Sequence, residues 1–377
     1  MSKLIKSSIL CSLILLFMVG FSIKSDAKQS ITLKVNGWNE QLGSEPFIEK
    51  GYVYIPLRNV SELLGYKVDW DVSKRSATII GINNKLVLNS SSNLAIKNGK
   101  SMKMNPSMKM INNKIYVPLR FISEMMGDQV QWEQKSKTIS VTSKYILVKA
   151  KYKNSEYWVN KINGDLYFVV GSNLPKKIGQ TDLKVPIKTQ RDYRVSLEAK
   201  QTPKGNVLLN LDNNHGEPGL STDRYSIYLK DNKIIKKTKV FYYNRWMENI
   251  STVQNKVVMT DGKKLYVYDD QTTKLITEYD LVALGGEDEN YFIEGMGQDY
   301  LLIRPNLKGV LMLVKPNTKE KVELYKEIFK NDPERLEYFE ENDTPYRGDD
   351  LKFIEEKNGV LYFKTSVFNE KTVQYKL

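Results

Sequence analysis

The chain has 377 residues, 41% of them hydrophobic and 11% aromatic, and a formal net charge of +13. Its length exceeds one ordinary domain of roughly 100–200 residues, and its composition excludes a disordered or collagen-like protein. A single cysteine and a single histidine exclude a disulfide framework and a histidine-based metal centre.

Lys3 and Lys6 precede an almost wholly apolar run from Ile9 to Phe21, and Ser25-Asp26-Ala27 follows. This layout predicts a secretory signal peptide over 1–27, cleaved after Ala27. The alternative is an uncleaved membrane anchor, but the run is short for a span of about 20 residues. Cys11 follows Leu10, where lipid attachment would want a small residue. Cleavage would leave no cysteine, so a secreted chain stabilised by its cores alone is expected. Membrane contact is expected only through an uncleaved signal.

Residues 28–148 carry 17 Lys and Arg against 9 Asp and Glu, while 149–377 carry 37 against 34. The basic character therefore belongs to the first module. Outside the cytoplasm its natural partners are anionic wall or surface polymers; nucleic acid is not expected. Solubility charge alone is the alternative.

The same phrase occurs twice in this module: YVYIPLRNVSELLGYKVDWD at 52–71 and KIYVPLRFISEMMGDQVQWE at 114–133. An offset of about 62 also aligns Asn36-Gly37 with Asn98-Gly99, which marks an internal duplication. In each copy a strand runs into Pro56 or Pro118, which opens a helix with apolar residues at Leu57, Val60 and Leu63-Leu64, or at Leu119, Ile122 and Met125-Met126. Gly65 and Gly127 suit the left-handed residue that ends a helix. Two strands follow, from Lys67 to Ile80 or from Gln129 to Val141. The expected unit is strand-helix-strand-strand, a small antiparallel sheet on one amphipathic helix.

Three features of the copies have structural explanations. Arg58 with Glu62, and Arg120 with Glu124, have the spacing of an intrahelical ion pair. Trp70 and Trp132 on strands are expected to pack over a helix. Met102, Met104, Met108 and Met110 alternate like one face of an extended segment, and no histidine or cysteine supports them as metal ligands.

The two phrases and the Asn98-Gly99-Lys100 turn resemble the N-terminal stalk domain of copper amine oxidases, over about 31–142. The resemblance implies a compact α/β accessory module with envelope or surface roles. It does not imply oxidase chemistry, which in that family resides in another domain with three copper-binding histidines and a tyrosine-derived quinone. This chain has only His215, so no copper, quinone or other cofactor is expected.

Beyond 149 the texture is all β, with leading strands near 157, 207, 256, 300 and 351, about 45–50 residues apart. Paired strands at this period predict a β-propeller-like domain over 149–377, with a sandwich or barrel as the alternative. KDNKIIKKTKV, DDQTTKLITEYDL and KPNTKEKVELY read as blade endings. Asp332-Pro333-Glu334 predicts a helix start, with Leu336 and Phe339 on its apolar face, in an acidic surface excursion before the last blade.

No catalytic or metal-binding residue stands out. Glu287-Asp288-Glu289 and Asp349-Asp350 could form paired carboxylates, but adjacent acids are more simply solvated. Ser221 or Ser251 with His215 lacks a nucleophile-elbow frame. The candidate ligand contact is Tyr242, Tyr243, Arg245 and Trp246, since aromatics and arginine dominate binding hot spots. The expected function is a non-catalytic, envelope-associated binding or scaffold protein. Its basic module would hold wall polymers and its β-domain a protein or glycan. A propeller hydrolase, glycosidase or esterase, and a purely structural interaction module are the alternatives.

Overall fold

The computed structural model describes residues 31–245, 247–340, 348–367 and 369–377. The expected signal segment with Ala27, and Trp246, lie outside them. The first copy consists of β1 (Thr32–Val35), β2 (Trp38–Glu40), β3 (Phe47–Glu49), β4 (Tyr52–Pro56), α1 (Leu57–Leu63), β5 (Lys67–Asp71) and β6 (Ser76–Ile80). After β7 (Lys85–Asn89) the second repeats the series: β8 (Leu94–Lys97), β9 (Lys100–Lys103), β10 (Lys109–Ile111), β11 (Lys114–Pro118), α2 (Leu119–Met126), β12 (Gln129–Glu133) and β13 (Thr138–Thr142). Pro56 and Pro118 stand at the helix N-caps, and Gly65 and Gly127 take positive φ just beyond the ends, as expected.

The copies do not each close a sheet of their own, which corrects the expected unit. The sheets run β12-β13-β1-β2, β10-β11-β4-β3 and β5-β6-β7-β8-β9, so each draws strands from both copies. Helices of seven and eight residues are too short to persist alone. They hold because Leu57, Val60, Leu119 and Ile122 join Ile55 and Val117 in one shared core.

A pseudo-twofold axis organises the exchange. Ile55 lies opposite Val117 where β4 and β11 pair antiparallel, and these are equivalent positions of the two copies. Two more equivalent pairs, each 62 residues apart, meet directly: the Tyr66 hydroxyl donates to Asp128, and Asn83 Nδ2 donates to the Tyr145 hydroxyl. Burial raises the pKa of both Tyr66 and Asp128. The symmetry breaks at β7, which sits between β6 and β8 where β13 pairs with β1 directly. The methionines do not form one face: Met104 and Met108 are core residues, whereas Met110 is exposed.

The β-domain is a run of meandering sheets, each following the last in chain order. The first holds Leu147–Tyr152, Ser155–Asn160, Asp165–Val170 and Lys176–Gln180, and the second holds Arg194–Gln201, Val207–His215, Ser221–Lys230 and Lys233–Tyr243. The third spans Thr252–Val253 to Leu275–Asp280, the fourth Tyr291–Met296 to Glu320–Glu323, and the fifth has three strands from Lys352–Lys357 to Lys371–Lys376. This up-and-down order is propeller-like. The expected leading strands are second strands in the first four sheets, where Leu147–Tyr152, Arg194–Gln201, Thr252–Val253 and Tyr291–Met296 come first. In the fifth sheet the predicted strand is indeed the first.

The excursion before the fifth sheet is packed rather than peripheral. Asp332 caps the helix Pro333–Glu340 by accepting from the Arg335 N–H, and Phe339 is buried with Phe329 in the core of the last sheets. Residues 341–347 of the acidic stretch lie outside the described residues.

The module and the first sheet share a core of Ile80, Ile82, Trp158, Tyr167 and Val169. Beside it Lys67 pairs with Glu156 at 2.9 Å, Trp158 Nε1 donates to the same carboxylate, and Lys149 Nζ lies 4.0 Å from the centre of the Trp158 ring. Burial lowers the pKa of Lys149 to about 8, with Glu156 acting against that shift. An ammonium whose folded pKa lies below its unfolded value weakens the fold while it is charged. Stability from this group is lost as pH falls through about 8 and fully present above the unfolded value near 10.5. Lys149→Met is expected to raise stability at pH 7 by about 1–3 kcal/mol, part of the gain being offset by the lost ring contact. Its stability difference from the unmodified chain should shrink between pH 8 and 10, as read by urea unfolding. A difference independent of pH would contradict this.

Candidate functional site

Two grooves lie in the repeated module, with volumes of about 500 Å³ and 780 Å³. Each is built from both copies. The larger sets Arg58, Glu62 and Trp70 of the first copy against Met110, Lys114 and Ile115 of the β10–β11 hairpin. The smaller sets Arg120, Glu124 and Trp132 against Ile48, Tyr52 and Val53 of the β3–β4 hairpin. Position by position these are equivalents under the pseudo-twofold, so the grooves are one site made twice.

The expected ion pairs are absent. Among the described residues, Arg58, Glu62, Arg120 and Glu124 all have exposed side chains that form no ion pair or side-chain hydrogen bond. An exposed pair at this spacing gains only about 0.3–0.5 kcal/mol, too little to hold two long side chains together. Trp70 is 39% exposed instead of covered by a helix, while Trp132 is partly buried and donates from Nε1 to Gln134 Oε1. Ile48, Tyr52, Trp70 and Met110 are among the large exposed apolar side chains of the chain, and all line the grooves. Repeated PLR and W motifs marked the residues, but the strand exchange that faces them with the other copy's hairpin left no local signal.

The aromatic stretch chosen from the sequence divides between two faces. Tyr242 is a core residue: it is 1% exposed, stacks on Phe292 with ring centres 3.8 Å apart and donates to the Tyr291 carbonyl. Strand alternation puts Phe241 and Tyr243 on the opposite face, 42% and 45% exposed. Arg245 donates to the Asn306 carbonyl at 2.6 Å, and burial together with the Arg304 charge lowers its pKa. Phe241 lies near His215, which in turn lies near Tyr193. The patch is therefore Tyr193, His215, Phe241 and Tyr243, at one end of the sheet with the longest strands.

Most of the acids named in the sequence have structural partners. Glu287 pairs with Lys308, Glu289 accepts from the N–H groups of Leu307 and Lys308, and Asp350 accepts from Thr365, Ser366 and Val367. Only Asp288, paired with Lys263, is strongly exposed. Asp349, expected in solvent, is fully buried against Arg304, because that guanidinium needs an anion inside the core. Ser221 lies opposite His215 in register, and His215 Nε2 sits 3.3 Å from Asp223. Among the described residues the Ser221 hydroxyl makes no hydrogen bond, and Ser251 lies away from this face, between the second and third sheets. No group of three or more metal-ligating side chains occurs among the described residues.

Residues 34–166 match the family described as copper amine oxidase N-terminal domain. The match spans the module and enters the first sheet of the β-domain. A search of curated proteins finds no match. Among solved structures, a luciferin-regenerating enzyme is similar at 12% identity and TM-score 0.25, covering 86% of this chain and 94% of that one. The β-propeller domain of the Trilobed protease from Pyrococcus furiosus is similar at 9% identity and TM-score 0.23, covering 88% and 81%. Apo AztD from Citrobacter koseri is similar at 8% identity and TM-score 0.22, covering 68% and 84%. Scores this low carry no weight for this chain, whose propeller-like order is read from its own strands.

Proposed function

We propose that the protein is a secreted, non-catalytic binding protein of the bacterial envelope, whose basic module holds anionic wall polymers. One observation carries this reading. Lys97 and Lys100 face each other directly across the Asn98-Gly99 turn of β8 and β9, and Lys103 lies farther along the same edge strand. Like charges directly opposed destabilise a strand pair. None of the three has an ion pair among the described residues, so an anionic polymer would relieve the repulsion. In this reading the aromatic patch around Phe241 and Tyr243 receives a protein partner, as hot-spot composition favours. A hydrolase reading has less support, because the acids named for it are held by structural partners and the Ser221 hydroxyl makes no hydrogen bond to His215 among the described residues.

The test is co-sedimentation of the chain lacking residues 1–27 with isolated Gram-positive cell walls across a salt series. Binding is expected at low salt and release as screening shortens the reach of the charges to a few Å. Lys97→Glu/Lys100→Glu/Lys103→Glu should lower the bound fraction severalfold at low salt. Unchanged sedimentation by that triple variant would overturn the reading.

A further inference from the structure

We infer that the twin grooves are saccharide sites, each taking a pyranose unit of an uncharged glycan chain; this rests on the reading of the module as the polymer-binding part of the protein. The starting point is what the duplication retained. Groove walls differ between the copies: Asn59 stands where the other has Phe121, Lys114 where it has Tyr52, and Asn113 where it has Gly51. Arg, Glu and Trp are the same in both. Packing does not account for the two charged residues, because Arg58, Glu62, Arg120 and Glu124 are exposed and make no side-chain bond among the described residues. Nor does it account for Trp70, an indole left 39% exposed beside an aliphatic floor of Leu57 and Val68.

These three side chains define a ligand by its chemistry. An indole face offers an apolar plate that stacks on flat C–H surfaces. A free guanidinium donates in a planar fork, and a free carboxylate accepts. An anionic ligand would meet the glutamate and a cationic one the arginine, each at a cost. A polyhydroxylated ring satisfies both, since every hydroxyl donates and accepts, and its axial hydrogens supply the apolar face. Volumes of about 500 and 780 Å³ fall in the range of small-ligand clefts.

The pseudo-twofold adds a consequence for polymers. Sites related by a two-fold axis present opposite polarity, so a directional glycan enters the two grooves in opposite senses. The module would then bridge two strands rather than thread one, gaining avidity on a dense surface.

Isothermal titration of the full chain with the tetramer of N-acetylglucosamine and with cellotetraose tests this. Two sites per chain are expected for at least one of these glycans, persisting in about 0.5 M salt, where surface charge is screened to a few Å. Trp70→Ala and Trp132→Ala should each remove one site, and Trp70→Phe should retain a weakened one. Arg58→Ala should weaken one site roughly tenfold. Thermal unfolding of each variant separates lost binding from lost fold. No heat from either glycan up to about 10 mM, well past weak millimolar affinity, would overturn the inference. So would a stoichiometry that the tryptophan variants leave unchanged, binding abolished by salt, or binding of wall peptides in place of the glycans. Salt-resistant glycan binding without wall sedimentation would instead sink the electrostatic reading and leave the grooves as assigned.

Discussion

Arg304→Ala is expected to destabilise the β-domain by about 3–5 kcal/mol, the cost of stripping one partner from a buried ion cluster. Arg304 is 1% exposed and sits between Glu294, 8% exposed, and Asp349, fully buried. Its Nε donates to Glu294, one terminal nitrogen to Asp349 Oδ1 at 2.8 Å and the Gly309 carbonyl, and the other to the Leu351 carbonyl at 2.6 Å. The cluster ties the fourth sheet to the start of the fifth. Alanine would strip the Arg304 donors from two carboxylates and from the Gly309, Asp349 and Leu351 carbonyls in a water-poor core. Arg304→Lys should recover little, because a single ammonium cannot replace a fork aimed at two carboxylates and three carbonyls. Urea unfolding gives the answer; a loss under about 1 kcal/mol would mean that water reaches the cluster.

Ile55→Ala is the second large effect, expected at about 2–5 kcal/mol from lost burial and the cavity left behind. Ile55 is 1% exposed and faces Val117 on the pseudo-twofold. Because every sheet of the module contains strands of both copies, the damage should not stay within the first copy. Hydrogen exchange is expected to quicken in β12 and β13 of the second copy as well as in β5 and β6 of the first. Protection retained in the second copy would show two independently folding halves, contrary to the strand exchange.

The repeat, its helix starts at Pro56 and Pro118 and its glycine stops were all legible, because they are local: proline fixes φ, glycine permits the left-handed turn, and apolar spacing marks a helix face. The meandering β-sheets were legible for the same reason, from short apolar runs between turns. Less was visible of how the elements face one another. The Arg58–Glu62 spacing suggested a pair that does not form, since a surface ion pair is too weak to impose itself. Tyr242 and Phe241 are adjacent aromatics with opposite fates, and alternation alone says that they part without saying which one is covered. Asp349 read as a solvated loop acid because its partner, Arg304, lies 45 residues away.

By itself the sequence determined that the module is a duplication, that it is basic, that no cysteine or histidine cluster supplies metal chemistry, and that the remainder is β-rich and repetitive. Only the tertiary structure decided that the two copies exchange strands, and this exchange creates both grooves. The physical reason is that a copy with one short helix and short strands cannot cover its own apolar faces. Burial is satisfied between the copies, so the site lies at a boundary that no single stretch of sequence contains.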